Sequence, residues 1–294
     1  MANARKILKR ANSVRNIRTI TKTMEMVSTA RFKQIHDRSA ASRPYTNRIS
    51  SMIGDMVSRQ TEPLDHPLMR TPPKLQRDVL LVIGATRGLA GAYTAGVTEL
   101  ALQRVGQLAE HDYEVVLYAA GKRGISDLKS NGLQPDREFP DFDHMPDYGE
   151  VGELTDELVN EFLDEKISGV EIAYTQFISA GKQSPAISQI LPLTEIEPPP
   201  RPITTATPPR YDFMPTREAV LSSLLPAAVK MRVFQCFLDA AASEQFARMN
   251  SMRSATEAAD DMIQDLTVTY NRQRQAQITT ELAEIMGGRS GIEG

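Results

Sequence analysis

The most regular pattern of apolar and polar positions lies in the C-terminal quarter of the chain. From about Thr216 to Met286 there is no glycine and, inside the run, a single proline, Pro226. Steps of alternately four and three residues from Leu224 meet apolar or aromatic side chains at ten of the next thirteen positions. Those positions are Ala228, Met231, Gln235, Leu238, Ala242, Gln245, Met249, Met252, Thr256, Ala259, Ile263, Leu266 and Tyr270. A period of 3.5 is that of a coiled coil, so the pattern predicts one long C-terminal helix over 216–288.

Residues 1–60 have the features of a second long helix. The segment contains no glycine before Gly54 and one proline, Pro44, at which a kink is allowed. A thinner apolar face is formed by Ile7, Val14, Ile17, Thr21, Met24 and Ile35. A helix of ~70 residues is about 105 Å long, which exceeds the diameter of any domain that the middle of the chain could form. The two terminal helices are therefore predicted to pair as a long antiparallel coiled coil, with the end of the C-terminal helix lacking a partner.

Between these helices the period of the pattern changes. Short apolar runs that end in glycine or a turn alternate with helical stretches, which predicts a small parallel α/β sheet. The predicted strands are 78–86, 113–121, 169–179 and 187–193, and the clearest helices are 93–110 and 151–167. We therefore expect an inserted, Rossmann-like α/β domain at 76–193. Pro192 to Pro215 inclusive contains eight prolines, so 194–215 is predicted to be an extended connector.

Charge is unevenly distributed over the 294 residues, whose formal net charge is −3. Residues 1–38 hold ten Lys and Arg against two acids, whereas 136–171 holds thirteen acids against two bases. The acidic helix 151–167 is expected to be a solvated surface. The lone cysteine, Cys236, excludes an intrachain disulfide and is expected to be a packed thiol. No apolar run of ~18 residues is present, which argues against a membrane span.

Two glycine-containing segments resemble phosphate-binding loops but lack their defining spacing. IGATRGLAGAY (83–93) has no G-x-G-x-x-G, and AGKRG (120–124) has neither the upstream glycine nor the Ser or Thr of a P-loop. The four histidines are scattered, and no nucleophile, base and orienting group can be combined. The sequence therefore predicts no catalytic residue, no metal site and no cofactor. The residues leave open a coiled-coil scaffold or nucleic-acid-binding protein using the basic helix, and a nucleotide-dependent enzyme built on the α/β domain.

Several motifs together resemble the gamma subunit of F-type ATP synthases. They are ITKTMEMVSTARFK (20–33), RGLAGAY (87–93), AGKRG (120–124), AYTQFISAGKQSPAISQILPL (173–193), ASEQFARMNSMRSAT (242–256) and YNRQRQAQITTELAEIMGG (270–288). The resemblance implies a non-catalytic rotor shaft that transmits rotation between a membrane c-ring and three catalytic beta subunits. It also implies alpha, beta, epsilon and c-ring partners, indirect membrane association and a location on the cytoplasmic face of a bacterial inner membrane, the mitochondrial inner membrane being disfavoured.

The resemblance also implies partner-binding residues. Those expected to meet the alpha/beta hexamer are Met24, Arg87, Gly88, Leu89, Ala90, Arg274, Gln275, Thr279 and Glu284. Those expected near the c-ring and epsilon are Tyr211, Phe213 and Met214. The chain departs from the family pattern at Thr86, where Asp is usual, at Ala90, where Cys is frequent, and at Met214, where Glu is usual.

Overall fold

The structure, a computed structural model, describes residues 2–58, 66–70, 75–140, 142, 145–179, 182–193, 214 and 216–290. Over these residues the chain forms two compact units, one from Met1–Thr29 with Arg248–Gly294 and one from Ala30–Ala247. The helices are α1 (Ala2–Ser58), α2 (Tyr93–Glu110), α3 (Lys122–Ser130), α4 (Tyr148–Leu163) and α5 (Arg217–Ser290), with a 3-10 turn at Pro67–Met69. The strands are β1 (Arg77–Ile83), β2 (Glu114–Ala120), β3 (Arg137–Phe139), β4 (Gly169–Ser179) and β5 (Lys182–Leu191). The predicted combination of long terminal helices and an inserted α/β domain is confirmed, while the division into 1–60, 76–193, 194–215 and 216–288 stays a prediction.

The sheet has the strand order β3-β2-β1-β4-β5. The first four strands are parallel, but β5 pairs with β4 in the antiparallel direction, so the expectation of a purely parallel sheet was wrong. The connection from β4 to β5 is too short for a crossover helix, and a short connection joins only antiparallel neighbours. β3 was not predicted because three residues are too few for a periodic signal.

Helices cover both faces of the sheet. One face packs Leu80 and Val82 of β1 against Val97 of α2 and Leu128 of α3. The other face packs against α4, α5 and the later part of α1. The acidic helix α4 therefore buries one side, including Val151, Leu154, Leu158 and Phe162, and its description as a wholly solvated surface was wrong.

In the unit from Ala30–Ala247, α1 and α5 belong to the same core as the sheet. α1 contributes Ile35, Ile49 and Ile53 and continues through Pro44 without ending. α5 contributes Leu221, Leu225, Val229 and Val233, among others. Within 219–283, α5 also has a window long and apolar enough for a membrane span by composition, 44% of it buried in the molecule. Much of this apolar character is accounted for by packing in the core.

In the unit from Met1–Thr29 and Arg248–Gly294, the two helices run antiparallel. The partners of Arg18, Thr21 and Glu25 are Asp260, Thr256 and Arg253, so positions rise along α1 as they fall along α5. The buried seam of α1 consists of Ala11, Val14, Thr21, Glu25 and Ser28, at heptad spacing. Ile17, which was expected on this seam, is 52% exposed.

A cavity of about 470 Å³ lies inside the larger unit, between α1, β4, β5 and α5. Its wall includes Gln235, whose Nε2 donates to Ser39 Oγ at 3.0 Å and to Asp239 Oδ1 at 2.8 Å. Burial raises the pKa of Asp239 to about 6, opposed by the Gln235 hydrogen bond and by Arg43. Burial likewise raises the pKa of Cys236 to about 12, which keeps the thiol protonated and agrees with the prediction of a packed thiol.

The raised pKa of Asp239 predicts a pH-dependent stability. The folded chain holds a proton there up to about pH 6, whereas the unfolded chain releases it near the ordinary value of ~3.9. This group therefore lowers stability as pH rises from about 4 to 6, and the loss is complete above that range.

Asp239→Asn should raise the stability of the folded chain at pH 7.5 by about 1–3 kcal/mol and reduce the difference in stability between pH 5 and pH 7.5. Thermal melts followed by circular dichroism test this. Asp265→Asn, at an exposed site of α5, is the control, and an unchanged pH dependence in Asp239→Asn would contradict the assignment.

Candidate partner-binding surfaces

An apolar stripe runs along α1 beside its buried seam. It consists of Ile17, Ile20, Met24 and Val27, which follow one another at spacings of three, four and three residues. Met24 is half-buried, and the other three are exposed. Sequence reasoning had assigned Ile17 to the seam and had not found Ile20 or Val27. A row of apolar side chains in water is typical of a surface that binds another molecule.

The seam next to this stripe is polar. Thr256 Oγ1 donates to Thr21 Oγ1 at 2.8 Å, and Arg18 forms an ion pair with Asp260. Glu25 accepts a hydrogen bond from Lys22 at 3.0 Å, which together with Arg253 holds the pKa of Glu25 below its usual value against the effect of burial. Paired polar groups of this kind fix the register of two helices, because a shift along the seam would leave them without partners.

Toward the C-terminal end of α5 the buried seam fades. Ile263, Leu266 and Tyr270 are half-buried, whereas Arg274, Gln275 and Thr279 are exposed. Ile278 and Leu282 are also exposed, as expected for a helix end without an intramolecular partner. The helix extends through Gly287 and Gly288 to Ser290, two residues beyond the predicted end, and the side chain of Glu284 lies outside the described part.

The turn between β1 and α2 presents one large apolar side chain. Leu89 has φ 64 and is 59% exposed, although a branched or bulky side chain rarely takes this left-handed conformation. Arg87 and Gly88 are exposed on the same turn. Ala90 instead is buried with Ala85 and Tyr93, so it anchors the turn within the domain. Backbone strain that exposes a leucine is typical of a functional turn.

The two glycine-containing segments pack against each other. A Cβ added at Gly84 would lie 2.5 Å from Gly124 Cα, and one at Gly121, whose φ is 89, would lie 2.6 Å from the Gly84 carbonyl oxygen. The Ala85 carbonyl oxygen accepts from the backbone N–H of Arg123 and of Gly124, at 2.9 and 3.0 Å. These first amides of α3, which would hold a phosphate in a P-loop, are therefore already bonded within the chain.

A further site, which sequence reasoning missed, lies beyond the carboxyl end of β1, beside the later part of β4. Glu244 Oε2 accepts from the backbone N–H of Thr86 at 3.1 Å. Nearby on α5, the Ala240 carbonyl accepts from the hydroxyl of Tyr93 at 3.0 Å, and Ser243 Oγ donates to the Thr175 carbonyl at 3.1 Å. No local pattern predicts these contacts, because Thr86 and Glu244 are 158 residues apart in sequence.

The remaining predicted site residues are only partly described. Met214 is 86% exposed, while Tyr211 and Phe213 lie outside the described residues. Among the residues that the structure describes, no group of three or more His, Cys, Asp or Glu could hold a metal ion.

The architecture of paired terminal helices and an inserted α/β domain is similar to that of rotary central stalks. A chain of the Euglena gracilis mitochondrial ATP synthase OSCP/F1/c-ring structure aligns with a TM-score of 0.63, 16% identity, 99% coverage of this chain and 95% of that one. A chain of the Tetrahymena thermophila mitochondrial ATP synthase central stalk/c-ring structure aligns with a TM-score of 0.58, 18% identity, 80% coverage of this chain and 99% of that one. At these identities the likeness shows the fold alone.

Sequence comparison identifies the family. A protein-family model described as ATP synthase matches residues 3–292. The ATP synthase gamma chain of Rhodopirellula baltica is 40% identical over 297 residues, covering 100% of both chains. That of Leptospira biflexa is 35% identical over 292 residues, covering 99% of this chain and 100% of its own. The chain belongs to the ATP synthase gamma chain family.

The contact between Gly84 and Gly124 predicts a large effect of one methyl group. Gly84→Ala should lower the free energy of unfolding by about 1–3 kcal/mol, because the new Cβ meets backbone and cannot be accommodated by a side-chain rotation. Gly106→Ala is the matched control: its Cβ would meet no atom within 4 Å at an exposed position in the C-terminal part of α2, and it should stabilise by about 0.5–1 kcal/mol. Urea unfolding followed by tyrosine fluorescence measures both. Equal effects of the two substitutions would contradict the packing argument.

Proposed function

We propose that this chain is the central rotor subunit of an F-type ATP synthase, transmitting rotation between a membrane c-ring and three catalytic beta subunits. The observation that carries the proposal is the full-length match to ATP synthase gamma chains. The structure supports the same proposal, because its two long terminal helices carry apolar side chains that are exposed to solvent. This reading is favoured over a scaffold or nucleic-acid-binding protein, since a basic helix alone accounts for neither the stripe nor the inserted domain.

In this proposal, the paired helices lie inside a hexamer of alpha and beta subunits. Three parts of the chain contact the hexamer in this proposal. They are the α1 stripe, the Arg87–Ala90 turn and the tip of α5, which carries Arg274, Gln275, Thr279 and Glu284. The basic residues of α1 would meet acidic beta-subunit surfaces, with which exposed cations exchange partners at modest cost. The α/β domain, with Tyr211, Phe213 and Met214, would contact the epsilon subunit and the c-ring, placing the chain peripherally at the cytoplasmic face of a bacterial inner membrane.

The subunit is proposed to be non-catalytic. Phosphate-binding loops bind anions with free backbone amides at the start of a helix. Here the amides at the start of α3 are bonded to Ala85, and the crevice beside β1 is filled by side chains of α5, leaving a cavity of only about 20 Å³. A void of that size holds about one water molecule. The start of α3 and the crevice beside β1 are therefore not available to a nucleotide phosphate.

Assembly of purified subunits tests the proposal. The chain alone should hydrolyse no ATP, and mixed with ATP synthase alpha and beta subunits it should yield a stable ATP-hydrolysing complex, followed by size-exclusion chromatography and phosphate release. Alpha and beta subunits without the chain are the control. ATP hydrolysis by the isolated chain, or failure to join the hexamer, would overturn the rotor proposal.

Met24 gives a sharper prediction within the proposed complex. Met24→Lys adds a cation to the α1 stripe, where it would pair with carboxylates of a beta subunit. We expect proton pumping per ATP hydrolysed to fall by about half or more, because each step has to break a newly buried ion pair.

The control for this change is Met26→Lys, which places the same cation on an exposed methionine outside the stripe. Pumping in reconstituted vesicles and ATP hydrolysis are measured together, with assembly checked by chromatography. Equal coupling in the two variants would remove the assigned role of Met24.

A further inference from the structure

The crevice beyond the carboxyl end of β1, beside the later part of β4, is the place where an open α/β sheet ordinarily binds a ligand. β1 connects to β2 on one side, while β4 lies on its other side, so the strand order reverses between β1 and β4. At such a switch point the loops leave in opposite directions and open a crevice. In this chain the crevice is occupied by α5 of the same molecule.

The side chain at the centre of the crevice is Glu244. It is 4% exposed, and its Oε2 accepts from the backbone N–H of Thr86, in the loop that follows β1. A carboxylate on a backbone N–H at this edge of the sheet takes the place that an anionic ligand would take in a nucleotide-binding protein.

Two hydrogen bonds on neighbouring turns of α5 surround this contact. Tyr93, the first residue of α2, donates to the Ala240 carbonyl, and Ser243 donates to the Thr175 carbonyl of β4. The Thr86 hydroxyl in turn donates to the Phe142 carbonyl at 3.0 Å. The Arg87–Ala90 turn is therefore flanked by two residues that are hydrogen-bonded to α5. Thr86 lies directly before the turn, and Tyr93 lies three residues after it.

We propose that Glu244 is a positioning residue that locks the Arg87–Ala90 turn to α5. Its carboxylate accepts from the loop that follows β1, and the turn therefore moves together with the helix. The consequence of this lock for coupling rests on the proposed rotor function. A turn that contacts the hexamer transmits force only if it cannot move independently of the shaft. The local lock itself is independent of that function.

Hydrogen exchange on the isolated chain tests the lock directly. Glu244→Ala removes the acceptor of the Thr86 N–H, so exchange of amides in 84–91 should become faster by about tenfold or more. Glu244→Gln keeps an oxygen acceptor on a side chain of the same length and should stay near the original rate. Glu99→Ala, at an exposed position of α2, is the matched control and should leave these amides unchanged.

Glu244→Asp guards against a variant that fails to fold. It keeps the charge but withdraws the carboxylate by one methylene, so it should give an intermediate exchange rate at a melting temperature close to that of the original chain. If Glu244→Ala and Glu244→Asp both leave exchange in 84–91 unchanged, the lock is overturned.

The complex with alpha, beta and membrane subunits tests the consequence. Glu244→Ala should lower proton pumping per ATP hydrolysed, and Glu244→Gln should restore it, a rescue that general destabilisation would not give. Faster exchange with undiminished coupling would overturn the positioning role. Failure of the original chain to assemble would instead overturn the proposed function, while the exchange result would still decide whether Glu244 locks the turn.

Discussion

The fold depends on one constraint: a single helix, α5, has to pack against the sheet and against α1 at the same time. Between Leu221 and Gln245 most of its circumference is buried, in contact with a core that also includes β1, β4 and α4. Such a helix has to be apolar on more than one face, since each buried side removes a separate surface from water. Polar groups on this stretch are tolerated where they find partners, as Gln235 does with Ser39 and Ser243 does with Thr175.

The two helices of the coiled coil differ in how much of their packing could be predicted. α5 was recognised from its heptads, and all fourteen positions of the predicted series are buried or half-buried. The seam of α1 was predicted correctly at Val14 and Thr21 but misjudged at Ile17, because its other buried positions carry Ala11, Glu25 and Ser28. Small and polar residues give no hydrophobic period, although they pack closely and pair across the seam. Apolar Ile17 and Ile20 meanwhile face water, so hydrophobicity alone does not separate the seam from the neighbouring stripe.

The α/β domain shows a similar limit. The strands β1, β2 and β4 and the helix α2 were predicted nearly to their ends because buried strands are short apolar runs that stop at glycine. Spacing alone argued against phosphate-binding loops at 83–93 and 120–124, and the structure supplies the contact between Gly84 and Gly124 that requires glycine there. A strand was predicted at 187–193, but the antiparallel direction of β5, the short β3 and the contact of Glu244 with Thr86 could not be predicted, since each depends on which distant segments meet. Family resemblance named the residues of the turn and the tip, but it could not indicate that Ala90 is buried.

Leu89 combines an unfavourable backbone conformation with an exposed apolar side chain. Its left-handed backbone is one that glycine or asparagine adopts at lower cost, and most of its side chain is left in solvent. Selection for stability of the isolated chain would therefore favour a smaller residue at this position. A leucine at this position therefore lowers the stability of the isolated chain, and variants selected only for thermal stability would be expected to lose it first.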